Sequence, residues 1–384
     1  MLPRTILWRL LLLMAGILKV AVLILTPPTG DLLNWTAGAS TTLRFIAHDH
    51  LPPISVTGVY GPIELLLIPS FWVWTQLPIQ HPQVYSMLNS HSTPALLLAV
   101  LMKLPPLIAD IITGVGVFKL TLQLTHSEKK GQLAMIIWYL NPYNIYWING
   151  AGSMDVIPTL LLLLGVILGS SSKWFRSGLC VAFGSILRIY PLFSFPFFLL
   201  ATQRRKSRGY ALSGFLLPLA IALICIYASG IGTVSAIVEL PKVEYWLLDF
   251  LGGNLTNANL RLALVLVPVQ FYVTVRYWKR LPLLYLATTS VLTLLIGAQN
   301  TPPYHFLWAS PLLTVCVVLC PRELWIFLLT FITASLHLGP IFGIFPMTMF
   351  SLVDPFLGGC FYAAKVAYLI KLNLRNIVTR EMIH

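Results

Sequence analysis

Residues 8–26 read WRLLLLMAGILKVAVLILT, and this stretch decides the fold class. An apolar run of about 18 or more residues is long enough to cross the hydrocarbon core of a bilayer as a helix. Comparable runs occupy residues 210–229 and 324–345. Inside lipid the backbone must satisfy its own hydrogen bonds, which favours helices. The stretch therefore predicts the first of many membrane helices.

The composition of the whole chain agrees with a membrane protein. Hydrophobic residues make up 57% of the 384 residues and charged residues only 10%, and the mean hydropathy is +0.82. A soluble domain carries about 25% charged residues. No soluble module, linker or clear internal repeat is visible. We therefore expect an all-α, polytopic helix bundle as a single integral membrane domain over residues 1–384. It should have about 11 to 14 membrane segments, including short broken helices.

The net charge of +13 could suggest a nucleic-acid partner, but the distribution of charge argues against one. Basic residues form short clusters between apolar runs, at 129–130, 173–176, 204–208 and 276–280. Nucleic-acid binding needs a folded basic face, whereas cytoplasmic loops of membrane proteins carry such clusters. We expect no nucleic-acid partner and place the clusters in the cytoplasm. The first run lacks a small-residue cleavage site, so we expect an uncleaved helix with a cytoplasmic N-terminus.

With the basic clusters inside, the remaining topology can be predicted. Residues 27–60 form a long first outer loop, and the C-terminal helices fill residues 320–384. The prolines of KLPP at 103–106 should divide residues 94–124 into a half-helix and a full span, because proline breaks the helical hydrogen-bond ladder. The topology of residues 76–125 is the least determined part of this prediction.

A second break is predicted between two basic clusters. Residues 178–202 are too few for two full spans, and their middle reads RIYP at 188–191. We expect two short helices that meet at a bend within the membrane. Such breaks are tolerated where they line a cavity or are buried in protein.

Charged residues within the apolar runs are candidates for a functional site, because each costs at least about 2.5–3.5 kcal/mol in a bilayer. Lys103 and Asp110 are seven residues apart and would share a helix face, and the simpler reading is a buried ion pair that ties two helices. Arg188 has no acid near it in sequence. Its planar guanidinium matches phosphate oxygens, but it could equally snorkel or pair with a distant acid.

Cysteine and histidine give only a weak signal for a metal. The five cysteines fall in or beside apolar runs, which predicts small buried side chains and no disulfide framework. They are Cys180, Cys225, Cys316, Cys320 and Cys360. The sequence HDH at 48–50 could supply adjacent ligands, but it needs further ligands from elsewhere. We expect no cofactor, with a metal ion as the less favoured alternative.

A series of motifs follows in a fixed order within residues 5–315. GDLLN lies at 30–34, VYGP at 59–62, KLPP at 103–106, NP at 141–142, GAGSMD at 150–155, RIYP at 188–191 and PYHFLWASP at 303–311. This order resembles the GT-C class of multi-pass glycosyltransferases that use polyprenyl-phosphate sugars, especially the mannosyltransferase branch. Family members commonly have Tyr-Pro-Pro where this chain has YGP, and often lysine where it has Arg188.

The resemblance implies an inverting transfer of a sugar, by family weight mannose, from a polyprenyl-phosphate donor. The acceptor would be a hydroxyl of a glycolipid, oligosaccharide or other glycan on the outer or lumenal face. Asp31 would be the catalytic general base, and His305 a second catalytic residue that assists proton transfer or binds the acceptor or sugar. Arg188 and Lys103 would bind the donor phosphate. The remaining candidates for substrate binding are Asp155, Tyr60, Tyr304, Asp110 and Glu64.

Simpler readings and rival functions accompany this prediction. Asp31 could cap a helix or solvate a loop, and His305 beside Trp308 suits an aromatic belt at the membrane interface. A secondary transporter shares broken helices and membrane charges, but usually has two matching halves. A lipid-linked-sugar flippase or a non-catalytic membrane subunit would make Asp31 dispensable. In each case membrane lipids are partners, in the plasma membrane of a prokaryote or the endoplasmic reticulum of a eukaryote.

Overall fold

The computed structural model describes residues 4–26, 32–33, 36–40, 63, 65–79, 92–188, 190–202, 204–228, 272, 282–297 and 303–320. Within these ranges the chain is largely helical and contains no strand. The helices are α1 (Arg4–Leu25), α2 (Ile68–Thr75), α3 (Thr93–Thr125), α4 (Glu128–Leu140), α5 (Val156–Ser170), α6 (Trp174–Leu187), α7 (Tyr190–Ala201), α8 (Arg205–Ala228), α9 (Leu283–Gly297) and α10 (Ser310–Leu319). A helical turn (Pro142–Asn144) and a π-helix (Ile145–Gly150) separate α4 from α5, and a 3₁₀-helix (Pro303–Trp308) precedes α10.

Two of the described helices are long and apolar enough to cross a membrane by themselves, over Ile6–Leu25 and Thr93–Thr125. Shorter apolar helices include Val156–Ser170, Trp174–Leu187 and Tyr190–Ala201. The predicted all-α membrane helix bundle is thereby confirmed. The total of about 11 to 14 segments includes residues outside the described ranges and stays a prediction, as does the single domain over residues 1–384.

The long helix α3 corrects one prediction. It runs unbroken through Pro105 and Pro106, where a half-helix and a separate span were expected. Proline is tolerated inside membrane helices because neighbouring elements satisfy the freed backbone groups or enclose them. Here α1, α4 and α5 pack against α3, and Met102 and Pro106 are buried. The helix is therefore continuous where the local sequence indicates a break.

The predicted bend between two short helices is confirmed. α6 ends at Leu187, and Arg188 adopts an extended conformation with φ −152° and ψ 139°. α7 starts at Tyr190. Pro191 lies in the first turn of α7, where backbone N–H groups have no partner within the helix, so the N–H that proline lacks is not needed. The bend thus follows from the sequence RIYP, and it carries Arg188 at its centre.

The helices around the bend pack through small residues. Ser177 on α6 donates to the backbone oxygen of Gly165 on α5 at 2.8 Å. On the other side of α6, a Cβ added at Gly178 would overlap the backbone of Ala211, and one added at Gly214 would overlap the backbone of Phe175. Small residues let membrane helices approach closely. The contact between α6 and α8 therefore depends on both glycines.

The cysteines that the structure describes agree with the sequence analysis. Cys316 and Cys320 are buried thiols, and Cys180 is a partly buried thiol. The Thr288 hydroxyl lies 3.8 Å from the Cys316 sulfur. These side chains act as small members of the helix contacts.

Candidate functional site

The polar centre of the described structure is built around residues 141–155, between α4 and α5. The side chain of Asn141 accepts a hydrogen bond from the Tyr143 N–H at 3.0 Å and starts a helical turn. A π-helix follows, and π-helical segments often occur at functional sites. Gly152 has a φ of +75°, a left-handed conformation that favours glycine. This region was expected to be an outer loop, but it folds into buried helical backbone that ends at Asp155.

Asp110 on α3 is the centre of the first buried cluster. Its carboxylate forms an ion pair with Lys19 of α1. Trp138 Nε1 on α4 donates to Asp110 Oδ1 at 2.8 Å, and Asn149 Nδ2 in the π-helix donates to Asp110 Oδ2 at 3.2 Å. The Lys19 ammonium also lies 4.8 Å from the ring centroid of Tyr139. One acid therefore connects four elements of the bundle, and its charge is balanced inside the protein.

Lys103 does not form the ion pair with Asp110 that the simpler reading of the sequence suggested. Its ammonium donates to the backbone oxygens of Thr26 at 2.8 Å and Leu23 at 3.3 Å. The last carbonyls of a helix have no partner within the helix and carry its negative dipole end. Seven residues along a helix correspond to a rise of about 10.5 Å, so Lys103 and Asp110 share a face without touching. Lys103 caps the end of α1, and Lys19 forms the ion pair with Asp110 that was expected of Lys103.

Asp155 is the centre of the second cluster. Arg188 Nε at the bend donates to Asp155 Oδ1 at 2.8 Å, and Trp308 Nε1 donates to Asp155 Oδ2 at 3.1 Å. The Asp155 side chain is 1% exposed and that of Arg188 is 18% exposed. This confirms the alternative in which Arg188 pairs with an acid distant in sequence. The cluster joins the start of α5, the bend and the 3₁₀-helix.

The backbone around Asp155 is fixed by a second layer of contacts. Its carbonyl oxygen accepts from the Thr159 hydroxyl at 2.7 Å and from the Tyr190 hydroxyl at 3.3 Å. The Thr159 and Tyr190 hydroxyls are themselves 2.6 Å apart. The rings of Tyr190 and Trp308 stack with centroids 4.3 Å apart and an interplanar angle of 9°. The orientation of the carboxylate is therefore determined from both sides.

The two clusters have a common chemical character. Each carboxylate oxygen of Asp110 and Asp155 already accepts a hydrogen bond or an ion pair from the protein. Buried charges are stable when they are paired and hydrogen-bonded in this way, and removal of one partner costs about 3–5 kcal/mol. The arrangement is suited to fixing helices against one another. Among the cations of the two clusters and Lys103, Arg188 is the most exposed.

The structure brings together some of the predicted site residues. Asp155 and Arg188 form one pair, whereas Lys103 and Asp110 have separate partners. Asp31, Tyr60 and Glu64 lie outside the described residues, as does the HDH sequence at 48–50. Only the backbone of Tyr304 and His305 is described, in the 3₁₀-helix that carries Trp308 to Asp155. Substrate and phosphate contacts of all these residues stay predictions.

Sequence reasoning missed three partners in these clusters. Lys19 lies within the apolar run that decides the fold, and a lysine inside a spanning helix is by itself a signal of a polar contact. Asn149 belongs to the segment before GAGSMD, which was expected to be a loop. Trp308 entered only through one of two readings of His305, as part of an interfacial belt, whereas its indole N–H reaches Asp155 across 153 positions of sequence. The first could have been found from the sequence, and the other two depend on the fold.

A family model described as GPI transamidase subunit PIG-U matches residues 66–263, just over half of the chain. The chain belongs to the PIG-U family. The matched region contains Lys103, Asp110, Asp155 and Arg188. Comparison with curated proteins gives no match. PIG-U proteins are membrane proteins of the endoplasmic reticulum, so the eukaryotic alternative for the location is confirmed.

Membership of the PIG-U family corrects the predicted activity. A PIG-U protein is a component of the transamidase that attaches GPI to proteins, and it is not a glycosyltransferase that uses polyprenyl-phosphate sugars. The predicted transfer of mannose is therefore wrong, and with it the reaction for which Asp31 and His305 were assigned. Only the coarser part of the enzyme prediction is correct, because PIG-U proteins are subunits of an enzyme complex.

Proposed function

We propose that this chain is a membrane subunit of a GPI transamidase, which holds the assembly and its glycolipid substrate in the bilayer and leaves the bond-forming chemistry to another subunit. The partners in this proposal are other transamidase subunits, the GPI glycolipid and membrane lipids. The match to the PIG-U model over residues 66–263 supports it. The reading needs no cofactor on this chain.

The observation that carries the non-catalytic part is the saturation of both buried acids. Asp110 joins α1, α3, α4 and the π-helix, and Asp155 joins α5, the bend and the 3₁₀-helix. A general base needs access to the proton that it takes, within about 2.6–3.2 Å. Both carboxylates instead face donors of their own chain. These residues therefore support a scaffold for the complex.

The resemblance to the GT-C class concerns, in this proposal, the arrangement of helices and not the reaction. We propose that the order of motifs from GDLLN to PYHFLWASP reflects a shared arrangement of helices. Folds host unrelated functions, so a shared framework does not imply a shared reaction. In this chain the charged positions of the motifs, Lys103, Asp155 and Arg188, bond to other helices of the same protein. This use of the charges supports a structural role.

Arg188 is the described residue of this set that is best placed to meet an anionic substrate group as well. Its side chain lies at the bend between α6 and α7 and is 18% exposed. Asp155 holds the guanidinium through Nε. A glycosylphosphatidylinositol carries phosphate, which a guanidinium recognises well. A contact between Arg188 and the glycolipid thus remains part of the proposal.

Complementation tests the proposed function directly. The chain would be expressed in cells that lack their own PIG-U protein, and a GPI-anchored reporter would be measured at the cell surface. We expect the reporter to return, and the transamidase subunits to co-purify with the chain. Failure of the well-expressed, membrane-inserted chain both to restore the reporter and to bind the subunits would overturn the proposal.

A second arm separates scaffold from catalyst. Asp155→Asn should lower the amount of assembled complex, while transamidation per assembled complex stays near the wild-type value. Glu128→Gln is the matched control, because Glu128 is an exposed acid whose oxygen accepts from Gln132 at 3.2 Å. Full assembly of the Asp155→Asn complex with loss of its transamidation would instead place Asp155 in the chemistry.

A further inference from the structure

The start of α8 carries a dense group of cations. Arg204, Arg205, Lys206 and Arg208 are all exposed, and together they are called the α8 basic cluster. Arg208 Nε donates to the backbone oxygen of Thr202 at 3.3 Å, which holds this side chain against the end of α7. This hydrogen bond ties Arg208, one member of the cluster, to the folded bundle.

The sequence around this cluster is free of acidic residues. Residues 156–238 contain no aspartate or glutamate. Of the acids within the described ranges, Asp110 pairs with Lys19 and Asp155 pairs with Arg188. The third, Glu128, starts α4 and accepts from a neighbour on that helix.

An exposed apolar face continues from the cluster along α8. Arg208, Leu212 and Leu216 are four residues apart, so they lie on one face of the helix. Leu212 and Leu216 are both exposed. From Arg208 to Leu216 the helix rises about 12 Å. A cation at one end of an exposed apolar ridge matches a phospholipid, which has an anionic headgroup at the end of acyl chains.

An aromatic residue lies within the reach of the cluster. The Lys206 ammonium lies 5.9 Å from the ring centroid of Tyr210, whose side chain is exposed. Amphipathic rings such as tyrosine are enriched at the level of lipid headgroups. The α8 basic cluster is thus placed where headgroups lie.

From these observations we infer that the α8 basic cluster is a binding site for an anionic phospholipid headgroup, with an acyl chain lying along Leu212 and Leu216. The positive-inside rule assigns the site to the cytoplasmic leaflet, the opposite side from the predicted outer loops. Clusters of four to eight cations beside a membrane helix attract anionic lipids, with about 1 kcal/mol per cation. The inference is independent of the transamidase proposal, since it rests on the surface of α8 alone.

The test measures lipid selectivity of the full chain, purified with the subunits that accompany it. The protein is placed in phosphatidylcholine bilayers that contain trace spin-labelled phosphatidylserine or spin-labelled phosphatidylcholine, and the motionally restricted fraction of each probe gives a relative association constant. We expect the wild type to prefer phosphatidylserine. The preference should shrink as salt rises, because the Debye length falls from about 30 Å at 0.01 M to about 3 Å at 1 M.

Two variants that remove equal charge separate a site from a diffuse field. Arg204→Gln with Arg205→Gln should lower the preference by up to about fivefold per cation at low salt. Lys129→Gln with Lys130→Gln removes the same charge at the exposed start of α4 and should change the preference much less. Both variants keep the described hydrogen bond of Arg208. Unchanged elution of the purified complex shows that each variant is folded.

Three results would overturn the site. Equal restriction of the two probes by the wild type would show that anionic lipid is not selected. An equal loss in both double variants would assign the selectivity to overall charge. An unchanged preference in Arg204→Gln with Arg205→Gln, together with loss of a co-purifying subunit, would make the cluster a protein-docking surface.

Discussion

Asp155→Asn is the most informative single substitution in this protein. The carboxylate accepts from Arg188 Nε at 2.8 Å and from Trp308 Nε1 at 3.1 Å. An asparagine side chain has one acceptor oxygen and one donor nitrogen, so one of these two contacts becomes a donor facing a donor. The other loses its charge assistance, and the Arg188 guanidinium, 18% exposed, loses its described counter-ion.

The expected loss follows from these contacts. A hydrogen bond to a charged group contributes about 1.5–3 kcal/mol, and removal of one partner from a fully buried ion pair costs about 3–5 kcal/mol. The partial exposure of Arg188 lets water solvate the guanidinium, which lowers the second figure. We therefore expect Asp155→Asn to lower the free energy of unfolding by about 2–4 kcal/mol.

A double-mutant cycle measures this interaction. Unfolding of the purified protein is followed by tryptophan fluorescence for the wild type, Asp155→Asn, Arg188→Gln and the double variant. Because glutamine can donate to asparagine without charge, the double variant should be more stable than the sum of the single losses predicts, by about 1–3 kcal/mol. Glu128→Gln, the same chemical change at an exposed acid, should have little effect. Additive losses, or an Asp155→Asn protein as stable as Glu128→Gln, would refute the reasoning.

Three further substitutions test the remaining contacts by the same measurement. Gly178→Ala should destabilise the protein by at least about 1–3 kcal/mol, because the added Cβ meets backbone that cannot move aside. The control is Gly209→Ala, whose Cβ meets nothing within 4 Å and which should be neutral or stabilising. Equal effects of the two substitutions would contradict the close-packing argument. Asp110→Asn should lower the free energy of unfolding by about 3–5 kcal/mol, because it removes the described counter-ion of Lys19. Addition of Lys19→Met should restore most of this stability. Absence of recovery would show that loss of the ion pair is not the cause. Lys103→Met should lower the free energy of unfolding by about 1–3 kcal/mol, because the last carbonyls of α1 lose their buried donor. A variant of unchanged stability would show that Lys103 does not act as a cap.

Much of the helical frame could be predicted from local sequence. The apolar run at 8–26 is observed as the helix Arg4–Leu25, and the bend at Arg188 follows from two basic clusters placed too close for two spans. The frame was wrong at Pro105 and Pro106, since the continuity of α3 depends on the helices packed around it. Local signals thus give the positions of helices but not the tolerance of a proline within them.

The partners of the charged residues could not be read from the sequence in the same way. Lys19 and Asp110 are 91 positions apart, and Trp308 is 153 positions from Asp155. The motifs identified which positions carry charge, but only the fold shows that Lys103 caps α1 and that Arg188 binds Asp155. The function was misread because the order of motifs was taken to imply sugar transfer, which the family match contradicts, and one fold can host unrelated functions.

The physics of helix packing in lipid gives a reason why a subunit without sugar-transfer chemistry would keep such costly charges. Acyl chains are as apolar as leucine, so apolar contact alone does not select one arrangement of membrane helices over another. In this chain the selection comes from Lys19 with Asp110, Arg188 with Asp155, and the close approach at Gly178. Each of these contacts joins elements that are distant in sequence and is costly to break. Together the two ion pairs fix the buried segment 145–155 at Asn149 and at Asp155, and so hold the centre of the bundle in one arrangement.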